Sequence, residues 1–214
     1  IALLNPLRTH RFAAVDLERT KTDAIDALTI ARFAAHKRPA TTPLPDALTE
    51  ELRELVQLRQ RLVQDFGDRV RQLHRLVDLG FPEFTRYVRT LDSELASAIL
   101  RAYPTAAAFR GVSVRRLAAL RYDVRHHIGL DLARQLSEAA RRSVGQHHSA
   151  TYRLQIRYAC DDLDTLRRRL RDLDRDLDGK LRAHEVGRLL TTIDGIGTQS
   201  AARVIATVGD PAHF

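Results

Sequence analysis

The chain has 214 residues, a length that allows one or two domains and a sizeable core. It carries 35 Lys and Arg against 27 Asp and Glu, for a net charge of +8, and this balance favours a polyanionic partner. One cysteine excludes an intrachain disulfide and a cysteine-based zinc site, and no apolar run reaches the length of a membrane span. We therefore expect a soluble, cytoplasmic protein with no membrane partner.

The first forty-five residues predict a strand, a helix and a linker. Ile1 to Leu4 form an apolar run that ends at Asn5-Pro6, a pattern typical of a short buried strand before a turn. Thr22 is a favourable N-cap for a helix over Asp23 to Ala35. The prolines and threonines of residues 38–45 stop that helix and indicate a linker.

Two later stretches have apolar residues at alternating spacings of three and four, as on the packed face of a coiled coil. The first runs from Leu48 to Val77 and is interrupted at Arg59, and the second runs from Leu163 to Leu181. Helices of this kind pair antiparallel within one chain or across a dimer. Between them we predict shorter helices, with breaks at Pro104, Gly111, Gly129 and Gly145.

Arginine supplies almost all of the positive charge, because lysine occurs only at positions 21, 37 and 180. A guanidinium donates two parallel hydrogen bonds to a phosphate, although a GC-rich genome also favours arginine codons. Residues 110–142 hold eight arginines against three carboxylates. From this stretch we take four candidate nucleic-acid contacts, Arg115, Arg116, Arg121 and Arg125.

Residues 190–205 have the pattern of a helix-hairpin-helix, in which a Gly-apolar-Gly turn joins two helices. The turn is Gly195-Ile196-Gly197, and the amides that begin the second helix can hold a phosphate without reading bases. Ile196 would anchor the turn in the core, and Arg203 adds a cation to the predicted contact. A glycine helix cap followed by another helix remains the structural alternative.

Asp23 and Asp26 lie three residues apart, so a helix presents both carboxylates about one turn apart on one face. Mg²⁺ is held by one or two protein carboxylates together with water and phosphate oxygens. Two such ions stabilise the attacking and leaving oxygens of a phosphodiester. The alternative is a favourable interaction of two carboxylates with the helix dipole on a solvated face.

The order of these segments resembles the DEDD-type insertion-sequence transposases, which have a RuvC-like nuclease domain and a separate C-terminal transposase domain that carries a serine. The resemblance rests on Asn5-Pro6, on the segment Lys21 to Ala27, on the leucine-rich helix from Leu52 to Leu79, and on Ile193 to Phe214. One departure is Asp194, where family members often have proline.

The resemblance implies that Asp23 and Asp26 are the last two of four catalytic carboxylates that bind Mg²⁺. The first two, an Asp and a Glu, would precede Ile1, and the serine that attacks DNA would follow Phe214. The sequence contains no methionine. We therefore expect a catalytically inactive piece of a longer protein.

We predict a mainly α chain that includes the C-terminal part of an α/β RuvC-like (RNase H-like) domain. Its expected divisions are the end of the nuclease domain at residues 1–38, a linker at 39–47, a helical and coiled-coil region at 48–185, and the start of the transposase domain at 186–214. The resemblance implies binding of DNA and of a structured guide RNA, and assembly of a dimer or tetramer.

Two other functions fit the same residues. One is a non-enzymatic, arginine-rich coiled-coil protein that binds DNA and in which Asp23 and Asp26 only stabilise a helix start. The other is a helix-hairpin-helix DNA-repair factor, which has no need of the segment from Lys21 to Ala27.

Overall fold

The computed structural model describes residues 2, 4–15, 22–39 and 45–209 of the chain. Helices dominate this part of the chain, which contains no strand and only an isolated bridge between Arg121 and His127. The predicted mainly α class is therefore confirmed. Two residues of the predicted strand, Ile1 and Leu3, lie outside the described residues. The α/β nuclease domain stays a prediction.

Two compact units divide the chain, Ile1–Asp46 and Ala47–Phe214. The first contains helices α1 (Pro6–Val15) and α2 (Asp23–Lys37). The second contains α3 (Ala47–Gly80), α4 (Phe84–Tyr87), α5 (Glu94–Ala102), a 3₁₀ turn (Ala106–Phe109), α6 (Val114–Ala118), α7 (Leu130–Arg141), α8 (Ala150–Ala183), α9 (Glu185–Thr191) and α10 (Thr198–Val208). The four-part division drawn from the sequence stays a prediction.

Helix α1 begins at Asn5-Pro6, where the sequence predicts a turn. The Oδ1 atom of Asn5 accepts the N–H of Leu7 at 2.9 Å. Pro6 is the first residue of the helix, a position at which its missing N–H removes no helical hydrogen bond. The structure therefore replaces the predicted turn with a helix start, because residues that favour turns also favour the first turn of a helix.

Helix α2 begins as predicted. The hydroxyl of its N-cap, Thr22, accepts the N–H of Ile25 at 3.3 Å, which confirms the predicted cap. Further along α2, the buried ring of Phe33 packs edge to face against the ring of Phe12 of α1, with ring centroids 5.5 Å apart. This contact holds the two helices of the first unit together.

Helices α3 and α8 are the two long helices of the second unit, and they pack against each other. Each has 34 residues, a length of about 50 Å. The Tyr152 hydroxyl, near the start of α8, donates to the carbonyl of Leu76, near the end of α3, at 2.7 Å. At the opposite end Lys180 of α8 pairs with Glu51 of α3. The helices are therefore antiparallel and pair within the chain, one of the two arrangements that the sequence allows.

Arg59, which interrupts the apolar pattern of α3, has an acidic partner across the helix pair. Its Nε donates to Oδ1 of Asp174 of α8 at 2.6 Å, and both side chains are partly buried. The same oxygen accepts the Nε2 amide of Gln199 of α10 at 3.3 Å. The ion pair between Arg59 and Asp174 therefore fixes the register of α3 against α8, because a shift of either helix would separate the two charges.

Two apolar clusters lie at opposite ends of this helix pair. The larger one joins the end of α3 and the start of α8 to the short helices α4 to α7, and its fully buried side chains include Phe81, Phe84, Leu100, Leu117, Leu136, Ile156 and Leu163. The smaller one joins the other ends to α10, through Leu52, Leu177, Leu181, Ala201, Ala202 and Ile205. The two ends of the pair therefore carry different structures.

The segment before α8 is fixed against the end of α3. The carboxylate of Glu83 accepts the Ser143 hydroxyl at 2.6 Å and the Val144 N–H at 3.1 Å. Burial raises the pKa of Glu83, but these hydrogen bonds outweigh burial and hold the pKa below its ordinary value. A Cβ on Gly145 would lie 2.6 Å from the carbonyl oxygen of Gly80. Only glycine fits this close backbone approach.

We expect Gly145→Ala to lower the free energy of unfolding by about 1–3 kcal/mol, because backbone atoms of α3 cannot move aside for the added methyl. Gly179→Ala is the matched control, since a Cβ at that position in α8 meets nothing within 4 Å. That control should leave stability unchanged or raise it by about 0.5–1 kcal/mol. Urea unfolding followed by circular dichroism measures both, and equal stabilities would contradict the packing described here.

Candidate nucleic-acid interface

Asp23 and Asp26 occupy the first turn of α2, where both side chains are exposed. The backbone of this turn is regular, with the N–H of Asp26 donating to the Thr22 carbonyl at 2.9 Å. The aspartates are three positions apart, about one helical turn, so they lie on one side of the helix. Carboxylates at a helix N-terminus are also favoured by the helix dipole, so this geometry serves either a structural or a metal-binding role.

The donor chemistry of this pair fits Mg²⁺ in part. Two carboxylates match the small number of protein ligands that Mg²⁺ takes alongside water and phosphate oxygens. Within residues 2, 4–15, 22–39 and 45–209, however, no three His, Cys, Asp or Glu side chains are grouped to hold a metal. Asp23 and Asp26 can therefore supply two ligands of a larger set, and the described residues do not complete that set.

Ion pairs divide the arginine-rich stretch of residues 110–142 into two parts. The three arginines of its second half share two carboxylates: Asp131 lies 3.6 Å from Arg134, and Glu138 lies 2.7 Å from Arg142 and 3.9 Å from Arg141. The remaining acid, Asp123, bonds to His126 at 2.7 Å. Five exposed arginines thus have no carboxylate partner within the described chain: Arg110, Arg115, Arg116, Arg121 and Arg125. We call them the arginine surface.

Helix α6 presents two members of the arginine surface. Ser113 caps the helix by accepting the N–H of Arg116 at 3.3 Å, and Leu117 is fully buried in the larger cluster. With Leu117 fixed in the core, Arg115 and Arg116 on the same short helix remain exposed. This arrangement holds two guanidinium groups at the surface of a rigid element, where they can contact phosphates.

The loop after α6 presents Arg121 and Arg125. Its acidic residue, Asp123, accepts the backbone N–H of Arg125 at 2.7 Å and that of His126 at 2.6 Å. The side-chain hydrogen bond from His126 is the main cause that lowers the pKa of Asp123. At the end of the loop the buried side chain of Ile128 fixes the chain to the core. The loop is therefore held at both its tip and its base.

Residues 185–208 form a helix, a tight turn and a second helix. Gly195 has a φ of +88°, a conformation that favours glycine, and Ile196 is half-buried against the smaller cluster. Ala201 and Ala202 are fully buried, so their small side chains allow close packing of α10. Arg203 is exposed on the same helix. The order of helix, turn and second helix is present, while the helix-hairpin-helix itself and phosphate binding by this turn stay predictions.

Carboxylates surround the start of α10. The Thr198 hydroxyl donates to Asp178 of α8 at 3.1 Å, and Gln199 donates to Asp174, the partner of Arg59. Asp194 adds a third acidic group in the turn itself. Asp174 is paired with Arg59, and Asp178 with Arg182 at 2.5 Å. The exposed carboxylate of Asp194 competes with a phosphate for the positive end of the helix dipole, so the start of α10 is a poorer anion site than the arginine surface.

Some contacts in the second unit could not be expected from sequence. Arg101 of α5 bonds to Asp161 at 2.7 Å and also to Asp164, and both acids lie about sixty residues later on α8. Burial raises the pKa of the nearby Cys160 thiol to about 12, so this cysteine stays protonated and serves packing. No residue spacing indicates either contact, because α5 meets α8 only in the folded chain.

Comparison with known proteins shows which proteins the sequence of this chain resembles. The first 82 residues match the model of a transposase family, the DEDD transposases of the IS110 type. The chain is similar over its whole length, at 27% identity, to the insertion element IS110 uncharacterized 43.6 kDa protein of Streptomyces coelicolor, of which it covers 54%. It is 30% identical over 91% of its length to the insertion element IS116 uncharacterized 44.8 kDa protein of Streptomyces clavuligerus, of which it covers 49%.

These matches show that the chain is similar to proteins of insertion elements. Over residues 1–82 the similarity is to transposases of the IS110-type DEDD family. It spans about half the length of the curated relatives it matches. None of the described helices is both long and apolar enough to cross a membrane.

Proposed function

We propose that the protein to which this chain belongs is a DNA transposase that cuts and rejoins strands at an insertion element, using Mg²⁺ held by carboxylates. The observation that carries this proposal is the family match over residues 1–82, which includes Asp23 and Asp26. Their exposed position, one turn apart on a rigid helix, supports a role in binding a divalent ion.

In this proposal Asp23 and Asp26 would hold Mg²⁺ through their carboxylates, and the ion would supply positive charge to a phosphodiester. The resemblance implies that an Asp and a Glu complete the ligand set. Since the described residues supply too few ligands, we expect this chain alone to be catalytically inactive. Its own contribution would be to hold nucleic acid.

The arginine surface is our proposed contact with DNA and with a structured guide RNA. Arg115 and Arg116 on α6, with Arg121 and Arg125 on the following loop, provide guanidinium groups that the fold does not neutralise. Such groups bind phosphates and position the protein without reading bases. Base pairing by a guide RNA would then supply sequence specificity, as in other RNA-guided systems.

The α9–α10 turn, Gly195-Ile196-Gly197, and Arg203 form a second proposed contact. The exposed carboxylate of Asp194 in this turn makes it the weaker of the two. We also propose that the protein is a homo-oligomer. Supporting this, α3 exposes Leu58 and Val63, and α8 exposes Leu154 and Tyr158, apolar side chains that a second copy could cover.

One alternative function has an observation in its favour. Asp23 and Asp26 lie in the first turn of a helix, where carboxylates stabilise the helix without any metal. A non-enzymatic nucleic-acid-binding protein would use the arginine surface alone. The two functions differ in whether these aspartates matter to a Mg²⁺-dependent reaction.

We expect Asp23→Asn or Asp26→Asn, in the longer protein, to reduce Mg²⁺-dependent DNA cleavage by about 100-fold or more, because each removes a charged metal ligand. Affinity for nucleic acid should stay within about twofold of wild type, since amides at these positions leave the arginine surface intact. Asp176→Asn, at an exposed position on α8, is the control. Full cleavage by both variants would exclude these aspartates as metal ligands, whereas absence of cleavage by the wild-type protein would favour the non-enzymatic function.

A second experiment separates the unpaired arginines from the paired ones. Replacing Arg115, Arg116, Arg121 and Arg125 by Gln should weaken binding to a DNA duplex and reduce the magnitude of the salt slope, by about 0.9 for each phosphate that the protein no longer neutralises. Replacing Arg134, Arg141 and Arg142 by Gln removes nearly as much charge from arginines already paired with carboxylates.

Binding is measured by fluorescence anisotropy at a series of salt concentrations. The control set should change the slope by less than the set from the arginine surface does, because two carboxylates already pair with those three guanidinium groups. Equal effects of the two sets of substitutions would mean that net charge alone drives binding. The arginine surface would then not be the specific contact with nucleic acid.

A further inference from the structure

Beside the arginine surface lies an open cleft that the family resemblance does not assign. Helices α5 and α8 and the loop that follows α6 form its walls, and its volume is about 460 Å³. Small-ligand sites have volumes of roughly 300–1,000 Å³, so the cleft has room for one nucleotide unit. A base pair within a duplex would not enter it.

Every carboxylate that lines the cleft is already paired. Arg101 bonds to Asp161 and Asp164, as described above, and Arg171 bonds to Glu94 at 3.1 Å. Although burial raises the pKa of Asp164, hydrogen bonds from Arg101 and from a second arginine of α8 keep it below its ordinary value, so Asp164 is ionised at neutral pH. These acids therefore stay with their arginines and leave little negative charge to repel an anion.

Two arginines of the cleft remain without a carboxylate partner in the described chain. Arg121 stands on the loop, where it donates to the carbonyl of Val124 at 3.3 Å. Arg168 stands on α8, where it donates to the Thr165 hydroxyl at 3.3 Å and to the carbonyl of Asp164 at 3.4 Å. Since a guanidinium has five N–H donors, both keep donors for a phosphate.

An aromatic ring completes the lining. Tyr122 follows Arg121 in the chain and lines the same cleft. Its ring is stacked on that of His126, with centroids 5.8 Å apart and planes 16° apart, so its orientation is fixed. A flat ring beside phosphate-binding cations is the arrangement that accepts an unstacked base.

We propose that this cleft binds one unpaired nucleotide of a single-stranded nucleic acid, with the phosphate between Arg121 and Arg168 and the base on Tyr122. The inference rests on the proposed nucleic-acid-binding function and adds that single strands have a site which duplexes cannot use. The strand is either a loop of RNA or a separated strand of DNA, which share this chemistry.

The test uses the whole chain and three fluorescent oligonucleotides of one sequence: single-stranded RNA, single-stranded DNA and duplex DNA. Tyr122→Leu and Arg168→Gln should each weaken the binding of a single strand by about 5- to 100-fold, the range expected when one stacked base or one phosphate is released. Binding of the duplex should change by less than about twofold. Tyr122→Phe keeps the ring and should retain full affinity.

Two matched variants serve as controls. Arg169→Gln removes the neighbouring arginine of α8, which lies outside the cleft, and Tyr87→Leu removes an exposed tyrosine of α4, also outside the cleft. Neither should affect any oligonucleotide. Circular dichroism checks that each variant is folded. A loss confined to RNA or to single-stranded DNA supports the inference and identifies the strand.

The outcomes separate this inference from the proposed function. If wild type binds all three oligonucleotides and both cleft variants bind single strands normally, the cleft assignment is overturned and nucleic-acid binding stands. The cleft assignment is also overturned if its variants weaken duplex binding as much as single-strand binding. If wild type binds no oligonucleotide, the proposed function itself fails and the inference fails with it.

Discussion

The antiparallel pairing of α3 with α8 is the constraint on which the second unit depends. Buried leucines such as Leu52 and Leu177 supply most of its free energy, about 1.5–3 kcal/mol for each fully buried side chain. The ion pair between Arg59 and Asp174 gives the pairing its register, and Gln199 of α10 bonds to the same carboxylate. The short helices with the arginine surface therefore stand at one end of the pair, and the α9–α10 turn at the other.

Internal ion pairing decides which part of the net positive charge faces a partner. Carboxylates of α8 hold Arg59 and Arg101, while Arg134 pairs within its own helix. The arginine surface lies on α6 and its following loop, where the one nearby acid bonds to His126 instead. Folding thus pairs some of the arginines with carboxylates and leaves the arginine surface and Arg168 of α8 without a carboxylate partner among the described residues, an arrangement that suits contact with a phosphate backbone.

Much of the architecture could be predicted from the sequence. Apolar spacing indicated α3 and α8, Thr22 indicated the start of α2, and glycine marked the breaks between the short helices. Contacts between distant residues could not be predicted, because spacing does not show which helices meet. Arg101 with its acids on α8, and Asp178 at the start of α10, are of this kind. The carboxylate pair could be identified on its helix, while the described residues do not supply the rest of its ligand set.

Photo-cross-linking of bound nucleic acid, followed by peptide mass spectrometry, tests the central claim most directly. That claim is that nucleic acid meets the arginines which the fold leaves unpaired. Cross-links should fall in residues 110–126 and near Arg168, and should disappear above about 0.5 M salt, where charges are screened beyond roughly 4 Å. Cross-links confined to residues 131–142 or to the α9–α10 turn would contradict the account.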